Sequence, residues 1–378
     1  MLASLEADRA RVAELEAKIL DLERSISELR AEQAIAQERL DSYRYPVLTL
    51  PNEIVSEIFT HFLPIYPLCA PLTGMFSPTC LTHICRKWRA LAISSPILWR
   101  AVPLSAVDIP FDRKAHLCNV WLTRSRSCPI SIGMEEDIRS LHEIPSAVVS
   151  HRTRWEYLKL RCVQSDLLSI EGQLPLLRHL DLSLRGLVEE TPAVEISAFR
   201  EAPILRTVIL DYLAAARIIL PWAQLTSLTL TSVYPEVCVP ILQHTSHLLR
   251  CELILCTGNR DNLPDVVLPR LQTLALLEEA IEYIIGYLDT FIVPALRRLK
   301  IAERFLGQNP IESLSSFLSK SGCKPQKIWI LAQRSGNRTV AEEAYRAAFP
   351  SIPEFSFDER EMFDEDHGHS DSSGVATF

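Results

Sequence analysis

The chain has 378 residues, 48% hydrophobic and 23% charged, enough for two or three domains with a sizeable core. It holds only 11 glycines and has no G-x-x-x-x-G-K-[ST] or G-x-G-x-x-G run, which argues against glycine-rich phosphate-cradling loops. The net charge of −8 is uneven: residues 1–44 carry −3, residues 354–378 carry −7, and the body between them is near +2, so no basic footprint for nucleic acid is expected.

Residues 1–44 follow a seven-residue period. Leu5, Val12, Ile19, Ile26, Gln33 and Leu40 fall at one core position; Asp8, Leu15, Leu22, Leu29, Ala36 and Tyr43 fall at the other. β-branched residues at a with leucine at d favour a two-stranded parallel coiled coil. Arg11 and Lys18 at g would face Glu16 and Glu23 at e of a second chain, and Gln33 would help fix the register. The spacing predicts a coiled coil over 1–44 through Val12, Leu15, Ile19, Leu22, Ile26 and Leu29, as a homodimer or with another coiled-coil partner. A helix that is exposed, or docked within the chain, is the alternative. The alternation of charged and apolar residues here does not read as a secretory signal.

A short helical module is predicted over 45–100. In LPNEIVSEIFTHFLP, a helix starting at Pro51 carries two apolar rows: Ile54, Ile58 and Phe62, and beside them Val55, Phe59 and Leu63. Proline suits the first turn and Glu53 the positive end of the helix. PIYPLCAPLTGMFSP has no helical period and reads as a loop. CLTHICRKWRALA resumes helical spacing through Leu81, Ile84, Cys85, Trp88, Leu91 and Ala92, and Pro96, Leu98 and Trp99 mark a third turn. So much apolar surface on so small a module implies a covering partner or neighbouring domain.

LPNEIVSEIF, ICRKWR and LW resemble the F-box pattern L-P-x-E-[IL]-x-x-x-[IL]-F, V-C-[RK]-x-W-R and L-W, matched by Leu50, Pro51, Glu53, Ile54, Ile58, Phe59, Ile84, Cys85, Arg86, Trp88, Arg89, Leu98 and Trp99. The stretch 64–78 is longer than the usual gap between the first two helices. The resemblance implies docking on the Skp-type linker, and through it on the cullin, of a Skp–cullin–F-box ubiquitin ligase. It assigns the linker contacts to Leu50, Pro51, Ile54, Val55, Ile58 and Phe59, supported by Leu81, Ile84 and Trp88; Trp88 and Trp99 also suit an internal core.

From 101 to 352 an apolar-x-x-apolar-x-apolar pattern recurs: WEYLKL, LRHLDL, LRTVIL, LTSLTL, LLRCEL, LQTLAL and LRRLKI. Its middle residues fall at 158, 180, 208, 228, 251, 274 and 299. That spacing lies in the leucine-rich-repeat range. WRAVPL and PISIGM read as degenerate first copies and KIWIL as a last one. Such copies cannot bury their apolar edges singly and must stack. They resemble the divergent repeats behind fungal F-boxes, although the usual turn asparagine is absent. The expected fold class is therefore α/β: a coiled-coil helix, a small all-α module, a curved leucine-rich-repeat-like solenoid, and an acidic disordered tail over 353–378.

Between the inward leucines, Tyr157, Lys159, His179, Asp181, Thr229, Arg250, Glu252, Arg298 and Lys300 are predicted on the outward, concave strand face, where mixed charge and hydroxyls suit a protein substrate. RRLK at 297–300 forms a basic end, either simply solvated or facing an acidic or phosphorylated segment.

The ten cysteines contain no C-x-x-C pair, so no zinc site is expected, and reduced thiols in cytosol or nucleus are the simplest reading. No G-x-S-x-G elbow occurs, and His244 and His247 lack the glutamate of H-E-x-x-H. In the acidic tail, His367 and His369 offer a weak signal for a stray metal ion and Ser370, Ser372 and Ser373 a weak one for phosphorylation; a solvated tail is the simpler reading. YLAAARIILPWA is interrupted by Arg217 and Pro221, and no membrane span is expected. The expectation is a non-catalytic substrate adaptor of a ubiquitin ligase, with no cofactor, metal, nucleic acid or membrane. The alternative is a coiled-coil scaffold whose helical module caps the repeats.

Overall fold

The computed structural model of the chain describes residues 2–43, 46–104, 109–134, 146–167, 170–186, 195–256, 263–278, 286–331 and 340–357. The protein is α/β, with a long N-terminal helix and a largely parallel multi-stranded sheet. It divides into two compact units, residues 1–58 and 59–378.

The first unit holds α1 (Leu2–Ser42), a 3-10 turn (Pro46–Thr49) and most of α2 (Asn52–Phe62). α1 is unbroken over 41 residues, as the absence of internal Pro and Gly in that stretch allows. Exposed Glu14 lies between Arg11 at 2.7 Å and Lys18 at 2.8 Å, one helical turn away on either side.

The second unit continues with α3 (Pro78–Ile84), α4 (Arg86–Ser94) and a 3-10 turn (Pro96–Trp99). Ser77 caps α3 by accepting from the Thr79 amide, with Pro78 at the first helical position. Strands and helices then alternate: β1 (Ala101–Pro103), α5 (Phe111–Arg124), β2 (Ile130–Gly133), α6 (Ser146–Ser150), β3 (Trp155–Val163), α7 (Gln164–Leu167), β4 (His179–Arg185), β5 (Thr207–Asp211), α8 (Tyr212–Ala215), β6 (Ser227–Val233), α9 (Pro235–Gln243) and β7 (Arg250–Leu255). β8 (Val266–Val267), β9 (Thr273–Glu278), β10 (Phe291–Ile292), β11 (Arg298–Ala302), α10 (Pro310–Ser321), β12 (Lys327–Leu331), α11 (Glu342–Ala348) and β13 (Glu354–Ser356) complete the described chain.

Among the described residues, eleven strands form one sheet in the order β1-β2-β3-β4-β5-β6-β7-β9-β11-β12-β13, and every pairing is parallel. β8 and β10 pair separately, also in parallel. Register is set by the leucines. Leu158, Leu180, Val208, Leu228, Cys251, Leu274, Leu299 and Ile328 lie side by side, and so do Leu160, Leu182, Leu210, Leu230, Leu253, Leu276, Ile301 and Ile330. All of these are buried. A slip of one residue would turn both rows to the opposite face, so the alternation specifies the pairing.

The approach to each strand also repeats. The amides of Leu177, Leu205, Leu225, Leu248, Leu271 and Leu296 each donate to a carbonyl three residues earlier. Immediately after these turns, the carbonyls of Arg178, Arg206, Thr226, Leu249, Gln272 and Arg297 each accept two amides from the following strand. These bonds satisfy backbone groups just ahead of the regular pairing.

WRAVPL and PISIGM are the strands β1 and β2, and KIWIL is β12. The sheet runs one strand further, to β13, in the first residues of the segment expected to be tail; residues 358–378, with His367, His369, Ser370, Ser372 and Ser373, lie outside the described residues. α5, unforeseen in the sequence, separates β1 from β2. Between the strands, PEVCVPILQHT contains α9 and IESLSSFLSKS lies in α10, whereas residues 279–285 of EEAIEYIIGYLDTF are outside the described residues.

Candidate functional site

The two apolar rows of α2 have different fates. Val55 and Phe59 are 0% exposed, whereas Ile54 and Ile58 are 50% and 42% exposed. Before the helix, Leu50 is half-buried and Pro51 exposed. An i, i+4 pair of isoleucines thus stands outside the core on an 11-residue helix.

Within the second unit, the Phe59 ring meets Trp88 edge-on at 5.0 Å. Cys85 ends α3 and caps α4 in an extended conformation, its sulfur accepting from the Trp88 amide at 3.4 Å. The Arg89 Nε donates to the Thr82 carbonyl at 2.6 Å, tying the two helices together. Trp99 is fully buried: its Nε1 donates to the Ala92 carbonyl at 2.8 Å, and its ring lies edge-on to Trp121 on α5 at 5.5 Å. Cys85, Trp88, Arg89, Leu98 and Trp99 therefore do internal work, with Trp88 half-buried and Arg86 exposed. Leu81 is buried too, but Ile84 is 55% exposed.

The proline-rich stretch between α2 and α3 is a loop, as its composition predicts, and it is tied down. Tyr66 donates its hydroxyl to a Glu156 carboxylate oxygen at 2.9 Å, lies edge-on to Tyr157 at 5.4 Å, and carries the Arg100 guanidinium 3.7 Å above its ring. Burial, reinforced by the bond to Glu156, pushes the Tyr66 hydroxyl pKa well above its ordinary value. Ser131 of β2 donates to the Pro67 carbonyl at 2.7 Å. The Cys69 sulfur lies 2.9 Å from where a Cβ on Gly133 would stand, so β2 needs glycine there for the loop to approach.

The outward residues predicted on the strands do share one sheet face. Tyr157, His179, Thr207, Ser227, Arg250, Thr273 and Arg298 form one cross-strand row; Lys159, Asp181, Ile209, Thr229, Glu252, Ala275 and Lys300 form the next. They are not equally accessible. Tyr157 is packed by Tyr66, and His179 lies 6.0 Å from Tyr157. Asp181 is buried and bonded by both terminal nitrogens of Arg161, at 2.6 and 3.3 Å. Lys159 and Thr229 are half-buried. Arg250 and Arg298 are exposed, with half-buried Glu252 and Lys300 beside them. Burial lowers the Lys300 pKa, and Glu252 opposes that shift.

A hollow of about 370 Å³ lies along β3 to β6, lined by Arg161, Asp181, Ser183, Asp211, Tyr212 and Ser232. Its carboxylates are already engaged. Asp211 accepts from the Ser183 hydroxyl at 2.6 Å, the Leu184 amide at 2.8 Å and the Ala214 amide at 2.9 Å, capping α8 while bridging to β4. Sequence reading missed this aspartate because two of its three partners lie on β4, 27 and 28 residues away.

His244 and His247 each bond a backbone carbonyl at 2.8 Å, of Pro240 and Ala223. Among the described residues, no group of three or more His, Cys, Asp or Glu side chains is arranged to hold a metal ion, and no helix is long and apolar enough to cross a membrane.

No protein-family model and no curated protein matches this chain.

Proposed function

We propose that the chain is a substrate adaptor: residues 45–100 act as an F-box that docks a Skp-type linker of a cullin-based ubiquitin ligase, and the strand-rich region binds a protein substrate. One observation carries the reading. α2 uses Val55 and Phe59 internally yet keeps Ile54 and Ile58 outside, so an apolar row remains on the helix that bears the LPNEI motif. An exposed aliphatic pair beside a proline-led helix start suits burial by another protein.

In this reading the linker contacts fall on Leu50, Pro51, Ile54 and Ile58, with Val55 buried on the other row of the same helix. The strand-rich region is read as a leucine-rich-repeat-like solenoid. Supporting that reading are the all-parallel sheet in chain order, the two leucine rows, and the repeated turn before each strand. Its substrate face runs from β6 to β11, where Thr229, Arg250, Glu252, Arg298 and Lys300 stand away from the loop that packs Tyr157. The chain then supplies proximity and orientation while other subunits supply chemistry.

The competing reading is a scaffold outside any ligase, in which the helical module only caps the sheet; the extensive anchoring of Tyr66 and Trp99 favours it to that extent. Co-purification separates the two. The full chain should retain a Skp-type linker, and Ile54→Asp with Ile58→Asp should abolish retention while thermal unfolding stays unchanged. A full-length chain that never retains the linker supports the scaffold.

A further inference from the structure

From Leu5 to Ser42, every residue of α1 is exposed. That includes six consecutive heptad core positions: Val12 at 53%, Leu15 at 44%, Ile19 at 54%, Leu22 at 62%, Ile26 at 47% and Leu29 at 63%. These residues form a seam, because a 3.5-residue average spacing holds them on one side of the helix. We propose that this seam zips, parallel and in register, against α1 of a second copy of the same chain. The inference does not depend on the adaptor reading.

Side-chain shape favours two strands, since β-branched residues fill the a positions and leucines the d positions over these six layers. Charge selects the orientation. In a parallel pair, Arg11 faces Glu16 of the second copy and Lys18 faces Glu23, each twice by symmetry. Ser4 with Arg9, Ser25 with Arg30, and Glu32 with Gln37 add no repulsion. Arg39 and Arg44 would be the one like-charged pair, beyond the apolar layers. The antiparallel arrangement that keeps the same six apolar residues together pairs Arg11 with Glu32. It also sets Glu16 against Glu23 and Arg9 against Arg30, each again twice. Unlike charges outnumber like ones only in the parallel form. In the single helix, Arg11 and Lys18 both bond Glu14 at a c position, and pairing exchanges those bonds for Glu16 and Glu23 of the second copy.

Gln33 supports the same register. In the parallel pair it meets Gln33 of the second copy, and two amides can hydrogen-bond each other there. Shifting the helices by one heptad would bury each glutamine against Ile26 or Leu40.

Sedimentation equilibrium of the full chain, without added partners, tests the proposal. The expected mass is twice the 42.8 kDa of one chain. Leu15→Glu with Leu22→Glu should halve that mass without moving the thermal transition, because both side chains are exposed in the single chain. Lys18→Glu should raise the dimer dissociation constant roughly tenfold, and adding Glu23→Lys should restore it. Donor and acceptor dyes at the N-termini of mixed chains should show efficient energy transfer, since an antiparallel pair separates those ends by about 60 Å. A monomer up to about 100 µM, a larger assembly, or a dimer without transfer would overturn the proposal.

Discussion

Tyr66 and Glu156 are joined by a 2.9 Å hydrogen bond across 90 residues of chain. That bond, with the Tyr157 ring edge-on to Tyr66 and the Arg100 guanidinium over the Tyr66 ring, fastens the proline-rich loop to the start of the sheet. The helices α3 and α4 follow directly from this loop, so they are held to the strands by their connection as well as by Trp99.

Tyr66→Phe should therefore lower stability by about 1.5 kcal/mol, the worth of a hydrogen bond to a charged group. Tyr66→Ala also removes the ring and should cost about 3 kcal/mol or more. Chemical denaturation measures both. If Tyr66→Ala behaves like an ordinary surface substitution, the loop is not fastened as described.

The two rows of α2 predict opposite sensitivities. Phe59→Ala empties a fully buried site against Trp88 and should destabilise by about 3–5 kcal/mol. Ile58→Ala, one residue away but 42% exposed, should cost under about 1 kcal/mol. Parallel urea titrations of the two variants would show whether the helix faces are assigned correctly.

Asp211 is a structural keystone of the polar edge. Replacing it with alanine strands one hydroxyl and two amides, and about 3 kcal/mol or more should be lost. Asp211→Asn keeps one acceptor oxygen and should fall between wild type and alanine. Equal stability of all three proteins would contradict this role.

The sheet was legible in the sequence for a simple reason. In WEYLKL, LRHLDL and their successors the inward residues are mostly aliphatic and the outward ones mostly polar, with Cys251 inside and Ile209 and Ala275 outside as exceptions, so period and face can be read together. The outward pairs duly form two cross-strand rows. Their accessibility was not legible. Tyr157 and Asp181 look like any other outward residues in the sequence, but one is packed by a tyrosine 91 positions earlier and the other is bonded by Arg161 on the neighbouring strand. The fates of Ile54 and Val55 were hidden similarly, since both are aliphatic and adjacent. β13 escaped notice because EFS is three residues long and borders the acidic end of the chain.

Buried thiols give the protein an alkaline limit. Burial pushes Cys118 up to about 11 and Cys162 and Cys238 up to about 12, from an ordinary value of 9.0, and raises Cys251 well above that value. Above pH 9 the unfolded chain releases these protons while the folded chain keeps them, so stability falls as pH rises. The contribution is constant below that pH and is lost through the window from about 9 to 12. Thermal unfolding should show a falling transition temperature there, less steep in Cys162→Ala. Iodoacetamide at neutral pH should modify Cys80, Cys85 and Cys128, which are partly exposed, well before Cys118, Cys162, Cys238 or Cys251.

Under the proposed function, the outer row of α2 docks a Skp-type linker. Calorimetric titration of the full chain with a purified linker subunit tests it most directly. Binding should be saturable, one linker per chain, with a dissociation constant in the micromolar range or tighter, about −8 kcal/mol or stronger. Ile54→Asp with Ile58→Asp should remove the binding heat and leave the thermal transition in place. No binding by the unaltered chain at linker concentrations near 100 µM, or undiminished binding by the double variant, would contradict it.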